Sequence, residues 1–321
     1  MQESDIISIL PTLIGGLVVF LYAIRRLSIK MEDFFSEKAR DFIASYTKNV
    51  FKAIIVGIVV TVLLDSSSAV IIITIVLVNS GALDFKQAMG IVMGANIGTT
   101  FSSQIIAMNV NKYSVILMMI GLLIWMFSKS IKVKKTAEVL MYFGMLFFGL
   151  FLLEISVHPL RDSEFFTSWM LEMSKPLKGA ITGGLVTLII QSSSATVAML
   201  ITLAKQNLIG LPAAIAAMLG AELGTCSDTL LAVIGGKRDA IRTGVFHLVF
   251  NFIPITLGLL LFDHFVDLAK WISGETPISR QIANAHVLFS VLSVLLFLPF
   301  VNTFHKAIRF IIPDKANAHL A

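Results

Sequence analysis

The chain has 321 residues, 25 Lys and Arg against 20 Asp and Glu, and 56% apolar residues; its mean hydropathy is +0.88. Charged residues make up 14%, against about 25% in soluble domains. That excludes an ordinary cytosolic enzyme, a disordered chain and a nucleic-acid-binding protein despite a pI near 9.3, and a lone cysteine, Cys226, excludes a disulfide framework or Cys-rich metal site.

Near-uncharged apolar stretches follow in chain order: Ile6–Ile24, Ala53–Leu64, Ala69–Val78, Tyr113–Ser128, Val139–Leu153, Gly179–Ala204, Thr243–Phe262 and Ile282–Phe304. Glu3 and Asp5 precede the first, with no basic leader and no A-x-A site, so it reads as a membrane helix rather than a signal peptide. Ala53–Leu64 and Ala69–Val78 are too short to span a hydrocarbon core of about 30 Å. Asp65-Ser66-Ser67-Ser68 lies between them, which predicts a re-entrant hairpin whose polar tip is shielded by protein or water. Gly179–Ala204 has the same form, broken at Gln191-Ser192-Ser193-Ser194. The runs Gly94-Ala95-Asn96-Ile97-Gly98-Thr99-Thr100 and Gly220-Ala221-Glu222-Leu223-Gly224-Thr225-Cys226 predict a discontinuous helix in each half. Their G-x-x-x-G spacing also suits close helix packing.

Shifting Gly57–Thr100 by 126 residues lands on Gly183–Cys226 without a gap, with 14 of 44 positions identical, the three serines and the glycines among them. If Ile6–Ile24 runs outside to inside and each hairpin returns to its own side, 18 Lys and Arg fall inside and 7 outside, as the positive-inside rule requires. Three full crossings per repeat then turn the second repeat upside down. The expected fold is an all-α polytopic membrane protein of two inverted-topology repeats. Residues 1–135 form the first (hairpin 50–79, broken helix 85–108) and 136–265 the second (hairpin 176–205, broken helix 209–234). Residues 266–321 add one transmembrane helix and a short cytoplasmic tail. Such repeats are the sequence signature of a secondary transporter in the inner or plasma membrane, N-terminus outside and C-terminus cytoplasmic. No P-loop is present.

Asp65, Glu222 and Asp228 are the only carboxylates deep in the membrane on this topology, and no Lys or Arg accompanies them. Such groups mark function. Half-helix N-termini favour an anion, while freed carbonyls and C-terminal ends favour a cation. An anion held without Arg or Lys then depends on a bound cation. Asp65 reads as a Na+ ligand, a proton carrier or a helix cap. Glu222 reads as a ligand or a vestibule residue, and so does Asp228. His247 and Asn251, four apart on one helix face, form a supporting shell or an interhelical hydrogen bond. His286, Asn284 and His158 read as interfacial, and Cys226 as a small packing residue.

These residues resemble the type II sodium/phosphate cotransporter family. The paired motifs are Asp65–Ala69 and Gln191–Ala195, each followed by a G-A-N-I-G-T-T type segment, Gly94–Thr100 and Gly220–Cys226. His247-Leu248-Val249-Phe250-Asn251 is similar to the family's H-x-x-F-N, and Gly15–Tyr22 and Gly144–Leu153 are similar to its repeat-initial helices. The resemblance covers residues 10–262. It implies Na+-coupled symport of inorganic phosphate by alternating access. Phosphate would lie on Ser66, Ser67, Ser68, Ser192, Ser193, Ser194 and Thr100, and Na+ on Asp65, Gln191, Asn96, Thr99, Glu222 and Thr225. Asp228, His247 and Asn251 would stand behind them. Asp65 replaces the family's glutamine, Glu222 its asparagine and Cys226 its threonine; the two extra carboxylates would change the number of coupled cations or admit a proton, or would reduce affinity for a divalent anion. The sequence ends soon after Pro313, so the soluble helical regulatory domain that some bacterial relatives append is expected to be lacking.

Three other readings compete. One is a Na+- or H+-coupled carrier of another oxyanion or small carboxylate. A second is a passive anion channel. The third is an intramembrane serine hydrolase with Ser193 or Ser67 as nucleophile and His247 as base, against which the serines are duplicated, the histidine is not, and no G-x-S-x-G elbow occurs.

Overall fold

The computed structural model describes residues 3–108, 113–157 and 164–314; His158 lies outside the described residues. Among them every regular element is a helix: α1 (Glu3–Tyr46), α2 (Val50–Leu64), α3 (Ser67–Ser80), α4 (Phe85–Ala107), α5 (Ser114–Phe127), α6 (Ile131–Val157), α7 (Glu164–Met173), α8 (Pro176–Ile190), α9 (Ser193–Lys205), α10 (Leu211–Gly224), α11 (Cys226–Ala232), α12 (Arg238–Leu260), α13 (Phe262–Ser273), α14 (Ile278–Phe297) and α15 (Val301–Ile311). Among the described residues, four stretches are long and apolar enough to cross a membrane: Leu10–Tyr46, Ile131–Val157, Arg238–Leu260 and Ile278–Ile311. Helices α2, α3, α5, α8 and α9 are apolar but shorter. The protein is a polytopic membrane protein.

Its surface supports that reading. Helix α2 exposes Phe51, Ile55, Val59 and Leu63, and α8 exposes Leu177, Ile181, Leu185 and Ile189. Each is an apolar stripe at helical spacing turned outward, the reverse of a soluble helix, and members of the two stripes stand 126 residues apart. The opposite faces are built from small residues. A Cβ on Gly57 would meet the Ile91 carbonyl oxygen at 2.5 Å, and one on Gly94 the Ile54 oxygen at 2.0 Å. In the second half a Cβ on Gly183 would meet the Ala217 oxygen at 1.9 Å, and one on Gly220 the Ala180 oxygen at 1.8 Å. Thus α2 on α4 and α8 on α10 are backbone-to-backbone crossings that only glycine permits.

The expected break in residues 85–108 is absent. Helix α4 runs unbroken through Gly94–Thr100, because its glycines serve the contact with α2. Asn96, Thr99 and Thr100 return their side-chain hydrogen bonds to α4's own carbonyls, at Val92, Ala95 and Ile97. In the second half the helix does break, at Thr225 between α10 and α11.

Among the described residues from 266 onward there is one candidate span, Ile278–Ile311, and the short helix α13 precedes it. Helix α13 buries Phe262, Phe265, Val266, Ala269 and Ser273 on one face, and Asp263, His264, Asp267 and Lys270 point outward. After α14 a single 3-10 turn at Leu298–Phe300, containing Pro299, leads into α15. Arg242, buried at the start of α12, donates to the Ile312 carbonyl at 2.7 and 2.9 Å and to Asp314 at 2.7 Å, and straps the end of the described chain to the bundle. Two cores result, one around α9, α10, α6, α13 and α14, the other around α2, α3, α4 and α12.

Candidate functional site

The two serine triplets make the same local structure. Asp65 ends α2 at φ 52°, ψ 31°, and Gln191 ends α8 at φ 59°, ψ 33°. Both are left-handed although neither is glycine, a conformation that costs about 1 kcal/mol or more for a residue with a Cβ. Each lets the chain reverse within one residue. Ser66 and Ser192 then cap α3 and α9, accepting from Ala69 N at 3.1 Å and Ala195 N at 3.2 Å. The middle and last serines occupy the first turn of α3 and α9, where backbone N–H groups have no partner within the helix.

Both turns open on one cavity of about 480 Å³. Asp65, Ser66, Ser67 and Ser68 line it from one side, and Gln191, Ser192, Ser193, Ser194 and Thr225 from the other. Two helix N-termini, each with positive dipole ends and hydroxyls, thus face one space. The two left-handed residues bring the C-terminal ends of α2 and α8 to its edge. The remaining wall is α1, which presents Leu21, Ile24, Arg25, Ser28, Ile29 and Glu32. The wall therefore includes an arginine, against the expectation of no Lys or Arg. The apolar run of α1 ends at Ile24, but the helix continues to Tyr46 and keeps Arg25 on the cavity stripe.

The other expected site residues lie apart from this cavity. Asn96, Thr99 and Thr100 are buried in α4. Asp228 touches it indirectly, receiving a long hydrogen bond from Ser68 Oγ at 3.4 Å. His247 Nδ1 pairs with Thr229 Oγ1 at 2.8 Å, and Asn251 Nδ2 donates to Cys226 Sγ at 3.2 Å. These are interhelical bonds between α11 and α12. No cavity serine lies against His247, so the hydrolase arrangement is not formed.

Sequence reasoning missed two partners. Ser102 Oγ donates to Asp65; it stands 126 residues before Asp228, a signal present in the repeat register. His286 is fully buried, not interfacial: its Nε2 lies 3.1 Å from Glu222 Oε1 and its Nδ1 2.8 Å from Ser103 Oγ. Helix α14 begins at Ile278, four residues before the apolar run, which puts His286 about 12 Å inside the helix. Asn284, beside it, joins Gln104 at 3.1 Å and Ser273 at 3.1 Å. The buried Glu222 carboxylate thus has a basic partner, contrary to expectation.

A sequence model described as Na+/Pi-cotransporter matches residues 19–154 and 164–296. The "Uncharacterized protein YqeW" of Bacillus subtilis is 29% identical over 279 residues, 87% of this chain and 90% of that protein. The "Putative inorganic phosphate export protein YjbB" of Escherichia coli is 26% identical over 265 residues, 81% of this chain but 48% of that protein, so the chain spans about half its length. "Sodium-dependent phosphate transport protein 2A" of Rattus norvegicus is 34% identical over 100 residues, 30% of this chain and 16% of that protein. No solved structure matches. The chain belongs to the Na+/Pi-cotransporter family, a family of transporters rather than enzymes.

Proposed function

We propose that the protein is a secondary active transporter that carries inorganic phosphate with Na+ by alternating access. The observation that carries this reading is the convergence of two serine-capped helix N-termini on one cavity. Ser67, Ser68, Ser193 and Ser194, with their backbone N–H groups, receive the phosphate oxygens. Na+ is taken at the C-terminal ends of α2 and α8, where Asp65 and Gln191 stand and carbonyls lack helical partners. The Thr61 hydroxyl, in the last turn of α2, is buried without a hydrogen bond among the described residues, which supports a cation there. Asp65 adjoins the phosphate turn, so a cation bound at it lowers the cost of bringing in the anion, and the two ligands bind cooperatively.

In this reading α2/α3 and α8/α9 are re-entrant hairpins entering from opposite sides, and the halves, 1–135 and 136–265, are inverted repeats. The N-terminus is outside, the C-terminus cytoplasmic, and the membrane is the inner or plasma membrane. The α1 wall runs from Leu21 to Glu32, about 16 Å along the helix, toward the side carrying most of the basic residues. The cavity therefore corresponds to an inward-facing state. The name of the Escherichia coli relative favours a second reading of direction, in which the same site exports phosphate.

The test is ³²P-phosphate flux in proteoliposomes of the full chain, with Na+, K+ or proton gradients imposed in turn and in both directions. Uptake driven by inward Na+ is expected. Flux that ignores the Na+ gradient removes the coupling, and efflux favoured over uptake at equal and opposite gradients reverses the direction.

A further inference from the structure

One charged wall of the cavity belongs to neither serine turn. Arg25, Ser28 and Glu32 sit three and four residues apart on α1, so they share one helix face. Among the described residues Arg25 has neither an ion pair nor a hydrogen bond. Its neighbours are engaged: Arg26 donates to the Tyr22 hydroxyl at 3.2 Å, and Lys30 pairs with Glu138 at 2.7 Å. Glu32 is about 10 Å from Arg25 along the helix axis, too far to neutralise it. Asp65 and Glu32 are the other charged residues lining the cavity, so Arg25 is its one fixed positive charge among the described residues. A guanidinium is always protonated, and its planar fork matches two oxygens of a tetrahedral oxyanion.

We propose that Arg25 recruits and selects the anion: it binds a divalent tetrahedral oxyanion entering the cavity, and Glu32 on the same wall opposes that binding. The proposal rests on the anion-transport reading above and adds a residue outside both repeated motifs. The mobile end of a long side chain serves this purpose, because the anion must leave Arg25 to reach the serine turns. Helix α6, which packs along α1, presents no residue to this cavity, so the device exists once although the serine turns exist twice.

The experiment is equilibrium binding of ³²P-phosphate to the full chain purified in detergent, at fixed Na+ and rising choline chloride, with sulfate as competitor. Arg25→Gln is expected to weaken phosphate binding about tenfold and to flatten its dependence on choline chloride. Arg25→Lys is expected to keep most of the salt dependence while losing preference for phosphate over chloride, and Glu32→Gln to tighten binding at least twofold. Wild-type affinity and salt dependence in Arg25→Gln would overturn the proposal. Should that variant not purify as a single species, Glu32→Gln decides: affinity unchanged from wild type overturns it. A wild type that binds sulfate but not phosphate, with the same Arg25 dependence, overturns the choice of phosphate and leaves Arg25 in its role. A wild type that binds neither overturns both.

Discussion

The two halves of the molecule share their turns and glycine crossings and differ in their charges. Left-handed residues fall at Asp65 and Gln191 and again at Gly81 and Asn207; helix caps fall at Ser66 and Ser192. Each pair is 126 residues apart. Ser103 and Thr229 occupy matching positions, and each holds a histidine Nδ1 at 2.8 Å. The charged groups do not match. The first half has Asp65 with Ser102, where the second has Gln191 and Asp228. Asn96 bonds its own helix, whereas its counterpart Glu222 bonds His286 on α14. Helix α4 is continuous, but α10 and α11 are parted at Thr225. The two halves thus keep the serine turns and the glycine crossings in one register, and differ in the continuity of the following helix and in their charged groups.

The largest expected effect tests the shared part. Gly94→Ala and Gly220→Ala each drive a Cβ into a facing carbonyl, at a cost of about 3 kcal/mol or more. Thermal melting of the detergent-purified protein should show similar losses for both; a loss in only one half would break the equivalence of the two crossings. The next tests the divergent part. His286→Ala leaves the buried Glu222 carboxylate and Ser103 without their partner, costing about 3 kcal/mol. His247→Ala leaves Thr229, which still donates to the Cys226 carbonyl at 3.0 Å, and costs about 1 kcal/mol. Equal shifts in melting temperature would show that Glu222 gains nothing from His286.

Activity variants sharpen the comparison further. Replacing both Ser67 and Ser193 by Ala removes one hydroxyl from each turn and should lower phosphate uptake about a hundredfold, each single change accounting for about tenfold. Wild-type uptake in either single variant would mean that the two turns do not hold the anion together. Asp65→Gln makes the two turns alike. It should change the Na+ dependence of uptake several-fold while the maximal rate stays within about twofold; an unchanged Na+ dependence would return Asp65 to the role of helix cap.

Local chemistry carried much of this into the sequence. A serine triplet after an apolar run of half-membrane length can do little but cap a new helix, and its repetition at one offset placed both turns correctly. Ambiguity arose where one residue type serves two ends. Glycine four residues apart both permits a break and permits a close neighbour, and α2, not α4, decides between them. The position of His286 was lost because apolarity marks where a helix meets lipid, not where it begins. The α1 wall was hidden for the same reason, since Arg25 lies past the apolar run but within an unbroken helix of 44 residues.

The glycine crossings also determine which parts can slide. Where two main chains touch, no rotamer change can ease one past the other, so α2 with α4 and α8 with α10 behave as two solid wedges. Any displacement has to be taken up on the seams filled by side chains, where α9 lies on α4 and α6, and where α3 lies on α11 and α12. Those seams adjoin the serine turns. In the proposed transport cycle these seams are the joint between two stiff blocks, and a bulkier residue there is expected to slow transport without unfolding either block.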